Sequence, residues 1–597
     1  MAQRLNLNKF IPGLLLAMVV LFLILYYLLL GFAGMTHSKG MEQADIARHL
    51  ATGKGFSTQV IRPVQLTERI VAAEAGSPIL EPIAPVPDTI HAPLSPFISS
   101  LAFRLTGNDW TTPDTERSIY FYDYVVSAIS VAFLLLSIWA TYLLVSSLFD
   151  AKLAFVTCIL MVLCQTLWRF AQSGLAQNHM VFFMTMGLFL LHRAHVTGTE
   201  RSENGGAGKS PLIAAIGAGV MFSLLMLSHW IALWPILGII IMVASTFKSR
   251  GPILIGLVVP VVLGIAFWAL RNTMAIGDPI GLGKELLFSG FHPGGEETIM
   301  RNAGEEIGLR LDGLPSKLVL GILGQMDGLF VALGSVCVAP LFFLAIFHRF
   351  RQPATSLFRW VVLVAWLLSA LAMAIYGAQA RVAGSPIAFN QLHIIFTPVM
   401  SAYGLALLSV LWGRLGIKTH VPFAKTGHIV AAVVLTALPL LLSLPGGIKD
   451  GLYASKSNQR RAVWPPFFPP SLWDIATHYD ENKAIFSDSP WGSAWYGDIP
   501  SIWLPTDNNQ LLQIHNALKD SGTPTGGCLL TPETTYMKLG GEILNGRNAD
   551  WSRLILRGPA LLVGGGDTLA GVEFPFKTIH QMWPKNELVF YGDERYW

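Results

Sequence analysis

The sequence predicts a mainly α-helical polytopic membrane protein ending in a small exported α/β domain, on three observations. Apolar residues make up 52% of the 597 and charged residues only 13%, a balance that one soluble core of ordinary composition does not hold. Apolar runs of the length that crosses a bilayer, about 20 residues, recur from the N-terminus to about residue 445. Beyond that point the pattern changes to short apolar runs punctuated by Gly and Pro turns, the signature of strands rather than spans.

In chain order, the runs lie near 10–34, 119–148, 152–170, 175–195, 211–228, 230–246, 252–270, 318–347, 359–378, 391–412 and 426–445, which gives about eleven expected spans. The first is long enough to span, follows Arg4 and Lys9, and lacks a small-residue cleavage site, so it reads as a retained anchor rather than a signal peptide. Basic residues then mark every second connection: Lys152, 193–209, Lys248 with Arg250, 349–359 and 414–425. The short loops near Ser173 and His229 hold none. The positive-inside rule therefore predicts a cytoplasmic N-terminus, and an odd number of spans puts everything after Pro445 outside the cytoplasm. A bacterial inner membrane is the expected location. The formal charge of +4 reflects this topology and not nucleic-acid binding.

Two regions follow: a membrane region 1–445 with large loops at 35–117 and 273–317, and an exported domain 446–597. The first loop is Pro-rich and predicts helices over 42–51 and 94–105 that lie on the membrane interface or against the bundle. The tail predicts strands at 484–486, 501–504, 529–530, 554–556 and 561–563 and a helix over 509–519. Its aromatic residues Trp464, Trp473, Trp491, Trp495, Tyr496 and Trp503 form either its core or a surface for sugar rings. Cys158, Cys164, Cys337 and Cys528 predict neither a disulfide framework nor a thiolate metal site. GGAGKS at 205–210 is not a P-loop, since Glu203 stands where the first Gly is required and the segment joins two membrane helices.

The first loop opens with MEQADIARHLATGKGF at 41–56, in which the carboxylates Glu42 and Asp45 stand three apart. This order of apolar span, acid and ARHLATGKGF, followed by HAPLSPFISSLAFRLTG at 91–107, resembles the first external loop of membrane glycosyltransferases with the GT-C fold. The branch is that of the protein O-mannosyltransferases and lipid A aminoarabinose transferases, glycosyltransferase family 39. WALRNTMAIGDP at 268–279 and FSDSPWGSAWYGDIPSIWLP at 486–505 are similar to further segments of bacterial members.

The resemblance implies transfer of a sugar from a polyprenyl-phosphate carrier to a hydroxyl of a protein, lipid or glycan acceptor outside the cytoplasm. It places the first-loop acid, usually Asp, on Glu42. A carboxylate that takes the proton from an attacking hydroxyl contributes typically 10²–10⁴-fold in rate, and Glu42 and Asp45 are the candidate bases. Both also suit the first turns of an interfacial helix, and Asp45 with His49 has the spacing of a surface pair.

The departing lipid phosphate needs cations. Arg271 in the RNT segment, His91 where the aminoarabinose transferases carry a lysine, Arg62, Arg381 and His393 are the candidate carrier-phosphate ligands. Arg271 equally suits a headgroup anchor, His91 a capping residue and His393 an interfacial one. Asp123 either orients a cation, binds a metal or belongs to a Tyr-rich interface.

No Asp-x-Asp motif occurs, which argues against a metal-held nucleotide sugar. No H-E-x-x-H spacing marks a metal site, so no metal ligands are assigned, and a divalent metal stays open as a cofactor. Membrane lipids and partners in a membrane complex complete the expected associations. The alternative is a catalytically inactive GT-C-fold scaffold or accessory subunit of a larger membrane complex. Its motivation is Glu for Asp at 42, His at 91, and SGLAQNH at 173–179, where several relatives place an acid. A transporter is disfavoured, because no pair of matching broken spans is evident.

Overall fold

The computed structural model describes residues 7–107, 110, 119–205, 209–283, 295–303, 311, 313–377, 387–415, 422–456, 468–478, 483–535, 548–552, 554–555, 574–582 and 588–593. Among them, eight helices are long and apolar enough to cross a membrane: Ile11–Leu30, Phe121–Leu148, Gln177–Glu203, Arg250–Ile276, Leu314–Ala332, Pro353–Tyr376, His393–Arg414 and Thr426–Tyr453. Ala151–Leu163 and Gln165–Ser173, bent by 52° at their junction, make a ninth if taken as one span. By length and composition the described residues do not reach the expected count of about eleven. The runs at 211–228 and 230–246 do form helices, but Leu212–Ser228 has 17 residues and Leu233–Thr246 has 14. The break expected near His229 is present, and its extended backbone and the 3₁₀ turn Trp230–Ala232 take up helix length.

The bundle is apolar inside and outside. Its core joins residues such as Trp168, Phe222, Phe342 and Phe358, while Leu14, Met18, Leu263, Phe267, Leu320 and Leu442 stand exposed along the outer helices. An exposed apolar surface of this extent is costly in water and suits lipid.

At one end of the bundle the first loop and the tail form a shared structure. Strands β1 (Ser57–Thr58), β2 (Val60–Ile61) and β3 (Val86–Pro87) come from the loop. The tail supplies β4 (Ala484–Ser487), β5 (Ser501–Trp503), β6 (Thr525–Leu530), β7 (Thr578–Met582) and β8 (Leu588–Gly592). β1 pairs antiparallel with β3, and the other six form one sheet in the order β2-β5-β4-β6-β8-β7. β2, β5, β4 and β6 run parallel, whereas β8 and β7 are antiparallel additions. Side-chain alternation gives the sheet two cores. Val60, Ile485 and Leu529 face the loop helix with Met41 and Ala44, while Ile61, Phe486 and Ile502 meet Leu511 and Ile514 of the helix Asn508–Asp520.

The expected tail strands at 484–486, 501–504 and 529–530 and the helix over 509–519 are present. The strand expected at 554–556 is not formed, since Leu554 and Ile555 are helical, and the 561–563 run and Trp464 lie outside the described residues. Trp473, Trp491, Trp495, Tyr496 and Trp503 are all buried, so they act as core and not as exposed platforms. The division expected at residue 445 falls within the helix Pro422–Lys456, and the tail sheet takes one of its strands from the first loop.

The loop helix Ser38–Ala51 has a polar sequence, yet every residue from Gly40 to His49 is buried. It lies between the bundle and the tail rather than flat on an interface, which is tolerable only because its polar side chains find partners there. Its entry is steric. A Cβ on Gly40 would run into the Ser173 carbonyl oxygen and the Gly174 backbone, so only glycine lets the helix approach the bent corner after Gln165–Ser173. Gly40→Ala is expected to destabilise the protein by roughly 1–3 kcal/mol, measured as a lower thermal midpoint of the detergent-solubilised chain. An unchanged midpoint would show that this approach does not position the helix.

Candidate active site

Three positively charged groups converge on one oxygen of Glu42. Lys39, one turn earlier on the same helix, lies 3.4 Å from Oε2. Arg62, the residue after β2, donates from Nη2 at 2.7 Å. His91 brings Nε2 to 3.0 Å. Among the described residues these contacts fall on Oε2, and Oε1 receives none of them.

β2 positions Arg62. Its parallel pairing with β5 carries the chain to Arg62, whose extended backbone opens the 3₁₀ turn Pro63–Leu66 and whose N–H is held by Gln65 Oε1 at 2.8 Å. Arg62 is 1% exposed, and its Nε is buried without a partner.

Asp88 positions His91. Asp88 Oδ1 accepts the N–H groups of Ile90 at 3.1 Å and His91 at 2.8 Å, while Oδ2 lies 3.0 Å from His91 Nδ1. The imidazole thus lies between two carboxylates, hydrogen-bonded to Asp88 through Nδ1 and with Nε2 at ion-pair distance from Glu42 but not aligned for a hydrogen bond to it. Burial works against a charged ring, but the two carboxylates outweigh it and His91 titrates above its ordinary value. Burial also opposes the Glu42 charge, yet Lys39, Arg62 and His91 hold that carboxyl well below the usual glutamate range. Asp88 is likewise held down against burial, to about 2, chiefly by His91.

Arg271 borders this hub through backbone rather than through carboxylates. Its Nη1 donates to the Asp88 carbonyl at 2.6 Å and its Nη2 to the Phe56 carbonyl at 2.6 Å, and its guanidinium lies over the rings of Phe56 and Trp268 at 5.0 and 4.9 Å. It clamps the loop to the helix Arg250–Ile276. His393 sits in the bundle core, with Nδ1 accepting from Trp366 Nε1 at 2.9 Å, and no described contact joins it to Glu42. Arg381 lies outside the described residues.

Asp45 has a different set of partners. Oδ2 accepts from Thr58 Oγ1 and the Gln59 N–H, both at 2.8 Å, and Oδ1 from Arg48 Nη2 at 2.5 Å. Both Asp45 oxygens thus carry described hydrogen bonds, whereas the described contacts of Glu42 all fall on Oε2. Arg48 continues to the carbonyls of Ala494 and Trp495 at 2.6 and 3.1 Å and to Asp498 at 2.9 Å, so the pair ties the loop helix to the tail. Asp123 works in parallel. It accepts from Trp495 Nε1 at 2.8 Å, Tyr496 Oη at 2.9 Å and the Met35 N–H at 3.3 Å, so its described partners are neutral donors and not a cation. At the 173–179 corner, Gln177 donates to the Phe389 carbonyl and Asn178 to Ser130 Oγ.

Sequence reasoning missed Lys39, Asp88 and Arg48. The spacing Asp-x-x-His over 88–91 was the one available signal, since a short acid can cap the turn that carries the ring.

No family model matches the chain, and no curated protein is similar to it. The structure is similar to the archaeal oligosaccharyltransferase AglB from Archaeoglobus fulgidus in complex with an inhibitory peptide and a dolichol-phosphate, at 11% identity and a TM-score of 0.49, over 88% of this chain and 70% of that one. It is also similar to ArnT from Cupriavidus metallidurans bound to undecaprenyl phosphate, at 12% identity and a TM-score of 0.49, over 98% of each chain.

The hub carries a pH signature. A histidine whose pKa is raised on folding contributes its stability in full below the unfolded value, 6.5, and loses it as pH rises through the folded value. Between pH 6 and 9 the thermal midpoint is expected to fall more steeply for the natural chain than for His91→Gln. Equal slopes would remove His91 as the bridge between two ionised carboxylates.

Proposed function

We propose that this protein transfers a glycosyl group from a polyprenyl-phosphate carrier to a hydroxyl acceptor, with Glu42 as the base and Arg62, His91 and Lys39 as the cations facing the departing phosphate. The observation that carries this reading is the convergence of those three cations on one oxygen of a carboxylate that the sequence resemblance singles out. The acceptor oxygen bonds to the anomeric carbon as the bond from that carbon to the carrier phosphate oxygen breaks. The hydroxyl proton passes to Glu42 Oε1, and the electron pair leaves with the phosphate.

The two demands on the hub are linked. A carboxylate held by three cations is a weak base. A carrier phosphate competes for Arg62, His91 and Lys39, and each cation drawn toward it restores basicity to Glu42. The buried, unpartnered Nε of Arg62 supplies a further donor for a phosphate oxygen. Asp88 keeps His91 oriented and charged, and Arg271 holds the loop carbonyls in place. In this reading the hub and the tail lie outside the cytoplasm, and the acceptor is a protein, lipid or glycan.

One observation favours a second reading. Glu42, Arg62, Asp88 and His91 are each no more than 2% exposed, and their opposite charges satisfy one another, as in a structural centre of an inactive GT-C-fold scaffold. Proteoliposomes supplied with polyprenyl-phosphate sugar and extracted membrane acceptors separate the two. Transfer by the natural chain is expected to fall roughly 10²–10⁴-fold in Glu42→Gln, at a thermal midpoint that shows the variant folded. Full transfer by a folded Glu42→Gln would sink the catalytic reading, and no transfer by the natural chain across the polyprenyl-phosphate sugars tested would support the scaffold.

A further inference from the structure

The loop helix carries a second polar cluster, which shares no side chain with the Glu42 hub. Asp45 and His49 stand one turn apart on it, and Asp498 approaches from the tail, so that one ligand atom from each lies within 4.8 Å of the others. We propose that Asp45, His49 and Asp498 form a divalent-cation site of the zinc type that joins the first loop to the tail.

The imidazole carries the argument. His49 is 0% exposed, and its Nδ1 lies 3.0 Å from Ser57 Oγ. That hydroxyl donates its hydrogen to the Lys54 carbonyl at 3.0 Å, so it offers the ring a lone pair and Nδ1 must carry the hydrogen. Nε2 is left as a bare acceptor, and among the described residues it meets no hydrogen-bond partner. A buried acceptor without a partner costs about 1–3 kcal/mol, and one nitrogen of this ring lies within 4.8 Å of an oxygen of each carboxylate.

Charge and chemistry agree. Arg48 bridges Asp45 and Asp498 but no described contact takes it to Nε2, and its single charge leaves the two carboxylates one negative charge in excess. An imidazole nitrogen with carboxylate oxygens suits zinc better than magnesium or calcium. The Nδ1–Ser57 contact is the kind of outer bond that fixes the tautomer and aim of a metal-ligating histidine. Bonds of about 2.0–2.2 Å to zinc require the three atoms to draw together. Asp498 is the member able to move, because its side chain is 50% exposed and it ends the helix Pro490–Gly497 at a positive φ of 53°. The same exposure gives a cation its entry path and leaves a coordination position to water.

The test uses the full-length, tag-free chain in detergent, stripped with a chelator and titrated calorimetrically with zinc chloride. One zinc per chain is expected, together with a rise in thermal midpoint as zinc is added. Asp498→Asn, at a half-exposed position that tolerates change, and His49→Gln are each expected to weaken binding at least about tenfold. Absence of zinc binding by the stripped natural chain, or binding by Asp498→Asn equal to it, would overturn the proposal. Glu42→Gln is expected to bind zinc as the natural chain does, so this outcome is independent of the transfer reading.

Discussion

The ion pair between Asp45 and Arg48 is the interaction on which the arrangement at this end of the bundle depends. One turn apart on a buried helix, the two side chains neutralise each other and then reach in opposite directions, Asp45 to the backbone of the first loop and Arg48 to two carbonyls of the tail. Breaking a buried pair of this kind costs about 3–5 kcal/mol, because the surviving charge is stranded away from water. The cost here extends beyond the pair. Without it, the loop helix would be held to the helix Pro490–Gly497 by apolar packing alone, and the Gln59 N–H just before β2 would lose its acceptor.

Burial of charge is the theme of the whole region. Glu42, Arg62, Asp88 and His91 leave water together, and each is tolerated because the others are present. Asp123 is buried by a different means, through neutral donors from Trp495, Tyr496 and Met35. The Asp123 cluster pins the tail to the end of the span Phe121–Leu148, whereas the Glu42 hub gathers charges of both signs around one carboxylate oxygen.

Much of the candidate site was legible in the sequence, and the limits have physical causes. Glu42, Arg62 and His91 were each visible as charged or titratable residues in the first loop, and they meet in space. Arg271 was visible too, but as a cation awaiting phosphate, and its contacts are with loop carbonyls and aromatic rings. Asp45 and Glu42 looked equivalent on paper. They differ because one pairs with Arg48, Thr58 and the Gln59 backbone while the other gathers Lys39, Arg62 and His91, and facing is set by the strands β1 and β2, each only two residues long and too short to leave a pattern.

The sequence by itself determined that this chain is a bundle of membrane-crossing helices with an α/β tail, because apolar run length and alternation act locally and are set by solvent. It also determined which carboxylates and cations were available. Only the tertiary structure decided that a strand of the first loop completes the tail sheet, that Gly40–His49 of the loop helix is buried, and that Glu42 gathers Lys39, Arg62 and His91 while Asp45 pairs with Arg48. Those outcomes rest on contacts between residues up to about 450 positions apart, such as Arg48 with Trp495, and a charge cannot announce its partner until the backbone brings the two within reach.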